Sequence, residues 1–497
     1  MPQTQYPASV TDFEVKFGRY TLKDLVRITV PALLAGLAAG LPGAAVGLIA
    51  GVVVAEYTAH GKTVDQLAYK GFSYSVDQRQ LDVEGDVEDR VVSLSDGTVI
   101  GLVKLESVDL DMASGTRWDV NRGVVSELYK ELENSVEIHS RKRTVNLQQY
   151  HCGSDTAVVT DHYVVIRESP STQSNRPWKN TDTSSTEEHV ENVVDRCTKV
   201  RNTLNAGNLS AEHVTGEELE QVVERFKYPD LSVEKERYKT GSGEKTHCRL
   251  LCITGYPEQL EAGILSELLN LDTPGFVDVV QNVEPVTDKQ RQNLSRLLSR
   301  MLVEASVTPD QIRGSDIERK IRDTRQMLEA ELTGNERLVN YASYIVVRGE
   351  SWEEVEATFE EVERFLRRYS ISCEQPWLET PSAVQTESLV QGDALKRSLL
   401  MPSMSAASCF SFSTHDKIES GGVVFGTDTR NGLPVVLDRY SWEAGDNARM
   451  GKKGSGKSYS AKLMLIRSLQ RYPDLQVYIL DPKQEYGVIG DAFSGTR

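Results

Sequence analysis

Residues 451–486 read GKKGSGKSYSAKLMLIRSLQRYPDLQVYILDPKQEY. The first eight, Gly451-Lys452-Lys453-Gly454-Ser455-Gly456-Lys457-Ser458, satisfy G-x-x-x-x-G-K-[ST], a phosphate-binding pattern. Gly451, Gly454 and Gly456, with Ser455 between them, let the backbone turn its N–H groups onto phosphate oxygens. Lys457 supplies a point charge, and Ser458 offers a hydroxyl to a metal ion. The nucleotide and metal implied are ATP and Mg2+. The next residues, YSAKLMLIRSLQR, have helical spacing, and LQVYIL reads as an apolar parallel strand ending at Asp481. Loop, helix and strand in that order predict the start of a P-loop NTPase domain over residues 441–497. NARM (Asn447–Met450), which stands where the strand before the loop is expected, is short and polar.

Upstream, residues 81–390 alternate strand and helix patterns. VVSLSDGTVIGLVKL (Val91–Leu105) reads as a hairpin turning at Asp96-Gly97. Thr156–Ile166 reads as a strand and Glu187–Asn205 as a helix, with the polar stretch Ser171–Glu188 between them as a mobile loop. Two segments, HCRLLCITGYPEQLEAGILSELL and YASYIVVRGESWEEVEATFEEVERFLRRY, each read strand–turn–helix, and Thr287–Leu332 is helical. Thr215 with Glu218 and Ser351 with Glu354 are capping-box pairs. Such units predict a ferredoxin-like α+β middle region, followed by a β-rich entry over residues 391–440.

These stretches together carry a resemblance. GKKGSGKSYSAKL…YPDLQVYILDPKQEY is similar to the TraC/TrbE-type ATPases of conjugation and type IV secretion, in the HerA/FtsK superfamily of RecA-like motors, where a D-P-x-x-E-Y element follows the second strand. LLCITGYPEQLEAGILSELLNL, VQNVEPV, ERLVNYASYIVVRGESWEEVEATFEEVERFL and FSFSTHDKIESGGVVFGTDTRNGLPVVLDRYSW extend the likeness upstream. FEVKFGRYTLKDLVRITVPALLAG through KTVDQLAYKGFSYSV resembles the small PrgI-type membrane subunit of such systems, here fused to the front. The resemblance implies that the P-loop NTPase domain starting over residues 441–497 is RecA-like, with ATP hydrolysis driving DNA or protein transfer or machine assembly, other secretion subunits as partners, and a homo-hexameric ring. It makes Asp481 and Glu485 candidates for orienting Mg2+ or the attacking water, with Lys457 in the catalytic set. The alternatives are that Asp481 caps a turn and Glu485 pairs with a neighbouring subunit. The later Walker-B-type carboxylate and the arginine that completes a neighbour's site would lie beyond Arg497, so the chain is expected to be the N-terminal part of a longer ATPase.

The front of the chain sets the expected location. Ile28–Ala55 is 28 residues without a charge, interrupted by Gly40-Leu41-Pro42-Gly43. Each half would rise about 20 Å as a helix, short of a hydrocarbon core of roughly 30 Å, so a helical membrane hairpin within residues 1–80 is expected. Lys16, Arg19, Lys23 and Arg27 before it hold the N-terminus inside, and Lys457 must face ATP, also inside. An even number of crossings, or none, meets both demands. The expected place is the cell membrane, with the bulk of the chain on its cytoplasmic side. The whole is thus expected to be an α/β and α+β multidomain protein.

Composition narrows the function. The 497 residues carry a formal charge of −17, which excludes a basic protein that coats DNA. Of the 56 basic residues 34 are Arg, and an acidic, lysine-poor surface suits a high-salt cytoplasm, pointing to a haloarchaeal source. Among the six cysteines only Cys248 and Cys252 are close, on one strand and facing one way; with no second pair at zinc spacing, buried thiols are expected. His139, His162 and His247 fall on expected strands and are read as packing or solvated residues. Two other functions fit the same motifs: a HerA/FtsK-like DNA pump, which would not require the apolar front, and a non-catalytic membrane scaffold.

Overall fold

The computed structural model describes residues 85–107, 115–146, 156–169, 183–207, 209–226, 231–240, 245–257, 259–307, 311–334, 336–412, 419, 421–428, 434–442 and 445–493, with short pieces at 3–5, 16–17, 20–21, 29, 58–59 and 62–63. Two compact units divide the chain, Met1–Arg141 with Asp161–Thr414, and Lys142–Thr160 with His415–Arg497. Six longer strands form the frame: β1 (Val99–Leu105), β2 (Val136–Asn146), β3 (Thr156–Glu168), β4 (His247–Gly255), β5 (Phe276–Pro285) and β6 (Leu338–Gly349). The longer helices are α1 (Gly115–Lys130), α2 (Thr183–Ala206), α3 (Asp288–Val307), α4 (Gln311–Leu332), α5 (Trp352–Arg368) and α6 (Lys457–Arg471).

The six strands lie in one 13-stranded sheet, in the order β4-β6-β5-β2-β3-β1. Ser232–Val233 and Tyr238–Lys239 extend it beyond β4, and Val92–Leu94 and Gly85–Val87 extend it beyond β1. Three short strands fill the remaining edges: Ala211–His213 on β1, Ser372–Glu374 on β4 and Leu399–Pro402 on β6. The registered pairings of β4 with β6, β6 with β5, β5 with β2 and β3 with β1 are all antiparallel. The expected fold class, a ferredoxin-like α+β region leading into a RecA-like start, is therefore corrected to a mixed α/β fold dominated by this antiparallel sheet. Each strand–turn–helix unit is present, but β5 and β6 pair across about fifty intervening residues, a partnership that local periodicity does not encode.

Side chains sort by period two. In β6, Tyr341, Ile345 and Val347 face the main core, with Leu251 and Ile253 of β4 and Val277, Val279 and Val283 of β5. Ala342, Tyr344 and Val346 face the other way, with Leu250, Cys252, Val280, Ala383 and Leu395. Every residue of β6 is buried because both faces of the sheet are covered. On the main-core side α5 contributes Val355, Phe359, Val362 and Leu366, at spacings that form one helical stripe. Ser351 caps α5, accepting the Glu354 N–H at 3.3 Å. The second expected box is not made: Thr215 forms no side-chain cap bond, and Glu218 instead meets Lys104 Nζ at 2.6 Å. Gly101 of β1 lets α2 come close, since a Cβ there would lie 2.5 Å from Cys197 Sγ. The hairpin turns at Asp96-Gly97 with Gly97 at φ 84° and the Thr98 N–H on Asp96 Oδ1, as its sequence predicts.

Cys248 and Cys252 lie on β4 with side chains on one face; both are buried, and burial pushes each thiol up to about 12. His139 and His162 are buried on β2 and β3, where desolvation depresses their pKa values, His162 to about 4. His247 packs edge-on to Trp352 at 4.7 Å. Thr183–Glu188 belong to α2 rather than to the loop expected there, and 171–182 lie outside the described residues.

The expected membrane hairpin falls on Ile28–Ala55, and among the described residues no helix is long and apolar enough to cross a membrane. Of Ile28–Ala55, the described residue is Thr29, and the others lie outside the described residues.

Candidate functional site

The phosphate-loop sequence falls in the second unit, where α6 packs on a hairpin of Val423–Thr427 with Pro434–Leu437. The anchors are polar as well as apolar. Arg467 Nη1 donates to the Val424 carbonyl at 2.5 Å and Arg471 Nε to that of Gly421 at 3.0 Å. The Tyr472 hydroxyl reaches Asp438 Oδ1 at 2.6 Å, and Met464 is buried. Pro473 follows at once and ends the helix. Sequence reading missed this platform, because Arg467, Arg471 and Tyr472 look like an ordinary solvated helix end. The detectable signal was the β-branched pair of runs VVFGT and PVVL separated by turn residues.

Gly456, at φ 83°, is the N-cap of α6, and Gly454 has φ 85°. This left-handed region strains any residue with a side chain. A Cβ at either position would meet nothing within 4 Å, so the concave side of the loop is open there. Gly451 is different: a Cβ on it would lie 2.6 Å from Ser455 Oγ, so the loop crosses itself closely at its start. Lys457 closes that ring, its Nζ donating to the carbonyls of Gly451 at 2.6 Å and Lys452 at 2.7 Å. The ammonium is thereby fixed at the loop, beside the first free amides of a helix, where the peptide dipoles favour an anion. Ser458 is exposed one residue further on.

Past the helix the structure departs from expectation. Leu475–Leu480, expected as a parallel strand, has no strand partner among the described residues and is not a strand. Tyr478 and Leu480 are 91% and 95% exposed, and Met450, at the end of the other expected strand, is 91% exposed. This is the correction to the RecA-like start. A strand exists only where neighbours take up its N–H and C=O groups, and none is placed beside this segment among the described residues.

The segment ends in a tight turn at Asp481-Pro482-Lys483-Gln484-Glu485-Tyr486. Asp481 Oδ2 accepts the Tyr486 N–H at 2.7 Å, and the Gln484 N–H reaches the Asp481 carbonyl at 3.2 Å. Backbone amides from Tyr486 first, and also from Glu485, Lys483 and Gln484, hold the Asp481 carboxyl below its usual range. Glu485 is exposed. Lys462, one helical turn beyond Ser458, places its ammonium 5.3 Å from the centre of the Tyr486 ring. The turn is thus brought against the same helix that the loop begins. The sequence named Asp481 and Glu485 but not Lys462 or Tyr486 as the contact between the two motifs.

Chemically, the loop can hold an anion of phosphate type through its amides and Lys457, with Ser458 as a neutral oxygen donor and Asp481 and Glu485 in a turn that meets α6 through Tyr486 and Lys462. Among the described residues no group of three or more His, Cys, Asp or Glu side chains is placed to hold a metal ion. A search against protein families and curated proteins found no match to the chain.

Proposed function

We propose that residues 451–458 bind the phosphates of ATP with Mg2+, and that the chain serves as an ATPase subunit of a conjugation or type IV secretion machine at the cytoplasmic face of a membrane. The observation that carries the nucleotide reading is the Gly451–Ser458 loop itself. It combines the phosphate-binding spacing, two glycines in the left-handed region facing open space, and a lysine held against the loop carbonyls at the head of a helix. These features fit the group: Gly454 and Gly456 take the left-handed φ the loop needs beside open space, and Lys457, Ser458 and the amides of the α6 N-terminus are the donors that the phosphates and the metal require. Bound there, the nucleotide would supply a transferable phosphoryl group. The chain's own part is to orient phosphate oxygens by backbone amides, balance their charge through Lys457, and offer Ser458 and a carboxylate of the 481–486 turn to the metal. The machine itself rests on the resemblance of DPKQEY and the upstream segments, with other secretion subunits and further copies of the chain as partners and DNA or protein as cargo.

A second reading, a nucleotide-binding scaffold without turnover, is favoured by the exposed Leu475–Leu480 segment, since a carboxylate on a segment without strand partners is poorly preorganised for catalysis. Equilibrium titration with ATP and Mg2+ tests the shared premise. Lys457→Ala should weaken binding about 10- to 100-fold, the range that corresponds to a charged hydrogen bond of roughly 1.5–3 kcal/mol. Equal affinity in wild type and variant would remove the site. Turnover by the purified chain, abolished by Lys457→Ala, selects the ATPase over the scaffold.

A further inference from the structure

The two carboxylates of DPKQEY do different things in the folded chain. Asp481 turns inward along its own backbone, with Oδ2 on the Tyr486 amide at 2.7 Å, while its carbonyl takes the Gln484 N–H at 3.2 Å. Gln484 adopts φ 58°, which a residue with a side chain tolerates only when surrounding bonds over-determine it. The far side of the turn is pinned as well: the Tyr486 carbonyl accepts the amides of Ile489 at 3.0 Å and Gly490 at 3.2 Å, and Ile489 is buried. Its near side meets α6 through Lys462 and the Tyr486 ring. Lys462 and Ser458 are four residues apart and share a helix face, so the turn is held on the side of α6 that carries the Ser458 hydroxyl. Glu485, between Gln484 and Tyr486, is exposed, and among the described residues its carboxylate makes no hydrogen bond or ion pair.

We infer that Asp481 is a positioning residue that builds this turn, and that Glu485 is the carboxylate the turn presents to magnesium-bound nucleotide at the loop. The inference rests on the nucleotide reading of Gly451–Ser458 and goes beyond it by dividing the two acids. A carboxylate whose oxygens accept backbone amides gains charge-assisted bonds that must be broken before it can turn to a metal. The exposed Glu485 carries no such debt. The local charge agrees, because Lys452, Lys453 and Lys457 belong to the loop and Lys462 to the helix that follows it, and this positive charge favours an anion.

The test uses the full chain with Asp481→Ala, Asp481→Asn and Glu485→Gln, and Lys457→Ala as the control for the loop. The first readout needs no nucleotide. Amide hydrogen exchange at Tyr486 should rise about tenfold or more in Asp481→Ala, be largely restored in Asp481→Asn, which keeps an acceptor oxygen, and be unchanged in Glu485→Gln. The second is ATP affinity titrated against Mg2+. The metal-dependent gain should fall in Asp481→Ala, return in Asp481→Asn, and vanish in Glu485→Gln while metal-free affinity stays. Unchanged Tyr486 exchange in Asp481→Ala overturns the positioning role. Loss of the magnesium effect in Asp481→Asn, alone or together with Glu485→Gln, assigns the metal to Asp481 and overturns the division. Failure of the wild type to bind ATP, with the exchange result intact, overturns the nucleotide reading and the role of Glu485 but leaves Asp481 as the builder of the turn.

Discussion

Two apolar stretches of similar composition meet opposite fates. LVNYASYIVVRG, the β6 strand Leu338–Gly349, is buried at every residue, whereas LQVYIL, Leu475–Leu480, stands largely in solvent. Both are rich in the β-branched and aromatic residues that suit a pleated surface. What separates them is the company each keeps. β6 has β5 along one edge and shares the other between β4 and Leu399–Pro402, and helices cover both faces. Leu475–Leu480 has no paired strand among the described residues. Strand propensity is a demand for neighbours more than a property of the segment, and the comparison shows the demand met once and unmet once.

The largest losses are expected on the buried side. Arg348 of β6 and Asp278 of β5 form a buried ion pair, Nε to Oδ2 at 2.5 Å. Asp278→Ala should cost about 3–5 kcal/mol, because it strands a buried guanidinium, as chemical denaturation would show. Ile345→Ala, in the middle of the same strand, should lose about 2–5 kcal/mol from transfer and cavity terms. A loss under about 1 kcal/mol at either position would mean that β6 is not the centre of the core.

A third measurement follows stability with pH. His162 on β3 is fully buried, with Nδ1 2.8 Å from Ser140 Oγ, and desolvation depresses its folded-state value to about 4. The unfolded chain therefore binds the proton more readily. The stability due to neutral His162 is complete above about pH 6.5 and is lost as pH falls toward 4, on the order of 3 kcal/mol in all. His162→Gln, which does not titrate, should flatten that part of the curve. An unchanged slope between pH 6.5 and 4 would place His162 in water.

Smaller effects sharpen the contrast. Removing the α5 cap with Ser351→Ala should cost about 1 kcal/mol, since the Glu354 amide loses its acceptor at 3.3 Å. Leu480→Ser should change stability by no more than about 0.5 kcal/mol, because the side chain is already in solvent. A loss at Leu480 comparable to that at Ile345 would show that the segment is buried after all and would dissolve the comparison.

Much of the local structure was legible. The Asp96-Gly97 turn, the strand that carries Cys248 and Cys252, the stripe of α5 with its Ser351 cap, and the glycines of the phosphate loop each rest on interactions within a few residues, which sequence encodes directly. Thr215 shows the limit even at short range: its partner Glu218 is drawn to Lys104, more than a hundred residues earlier. The contact between Lys462 and Tyr486 and the seating of α6 on the Val423–Leu437 hairpin were not legible, because they join segments whose only common feature is where the chain brings them.

Sequence alone specifies which segments can turn, wind or extend, and it set the left-handed glycines Gly454 and Gly456 at the head of α6, since φ preferences, caps and apolar periodicity act over a handful of residues. The packing of the whole chain settled that β1 to β6 share one antiparallel sheet and that Leu475–Leu480 does not become a strand, whereas the turn that Asp481 makes with the Tyr486 amide five residues on was among the alternatives its sequence offered. The sheet and the unpaired segment share one cause. Strand hydrogen bonds go to whichever partner is nearest in space, and for segments far apart in sequence that nearness is settled by the packing of the whole chain.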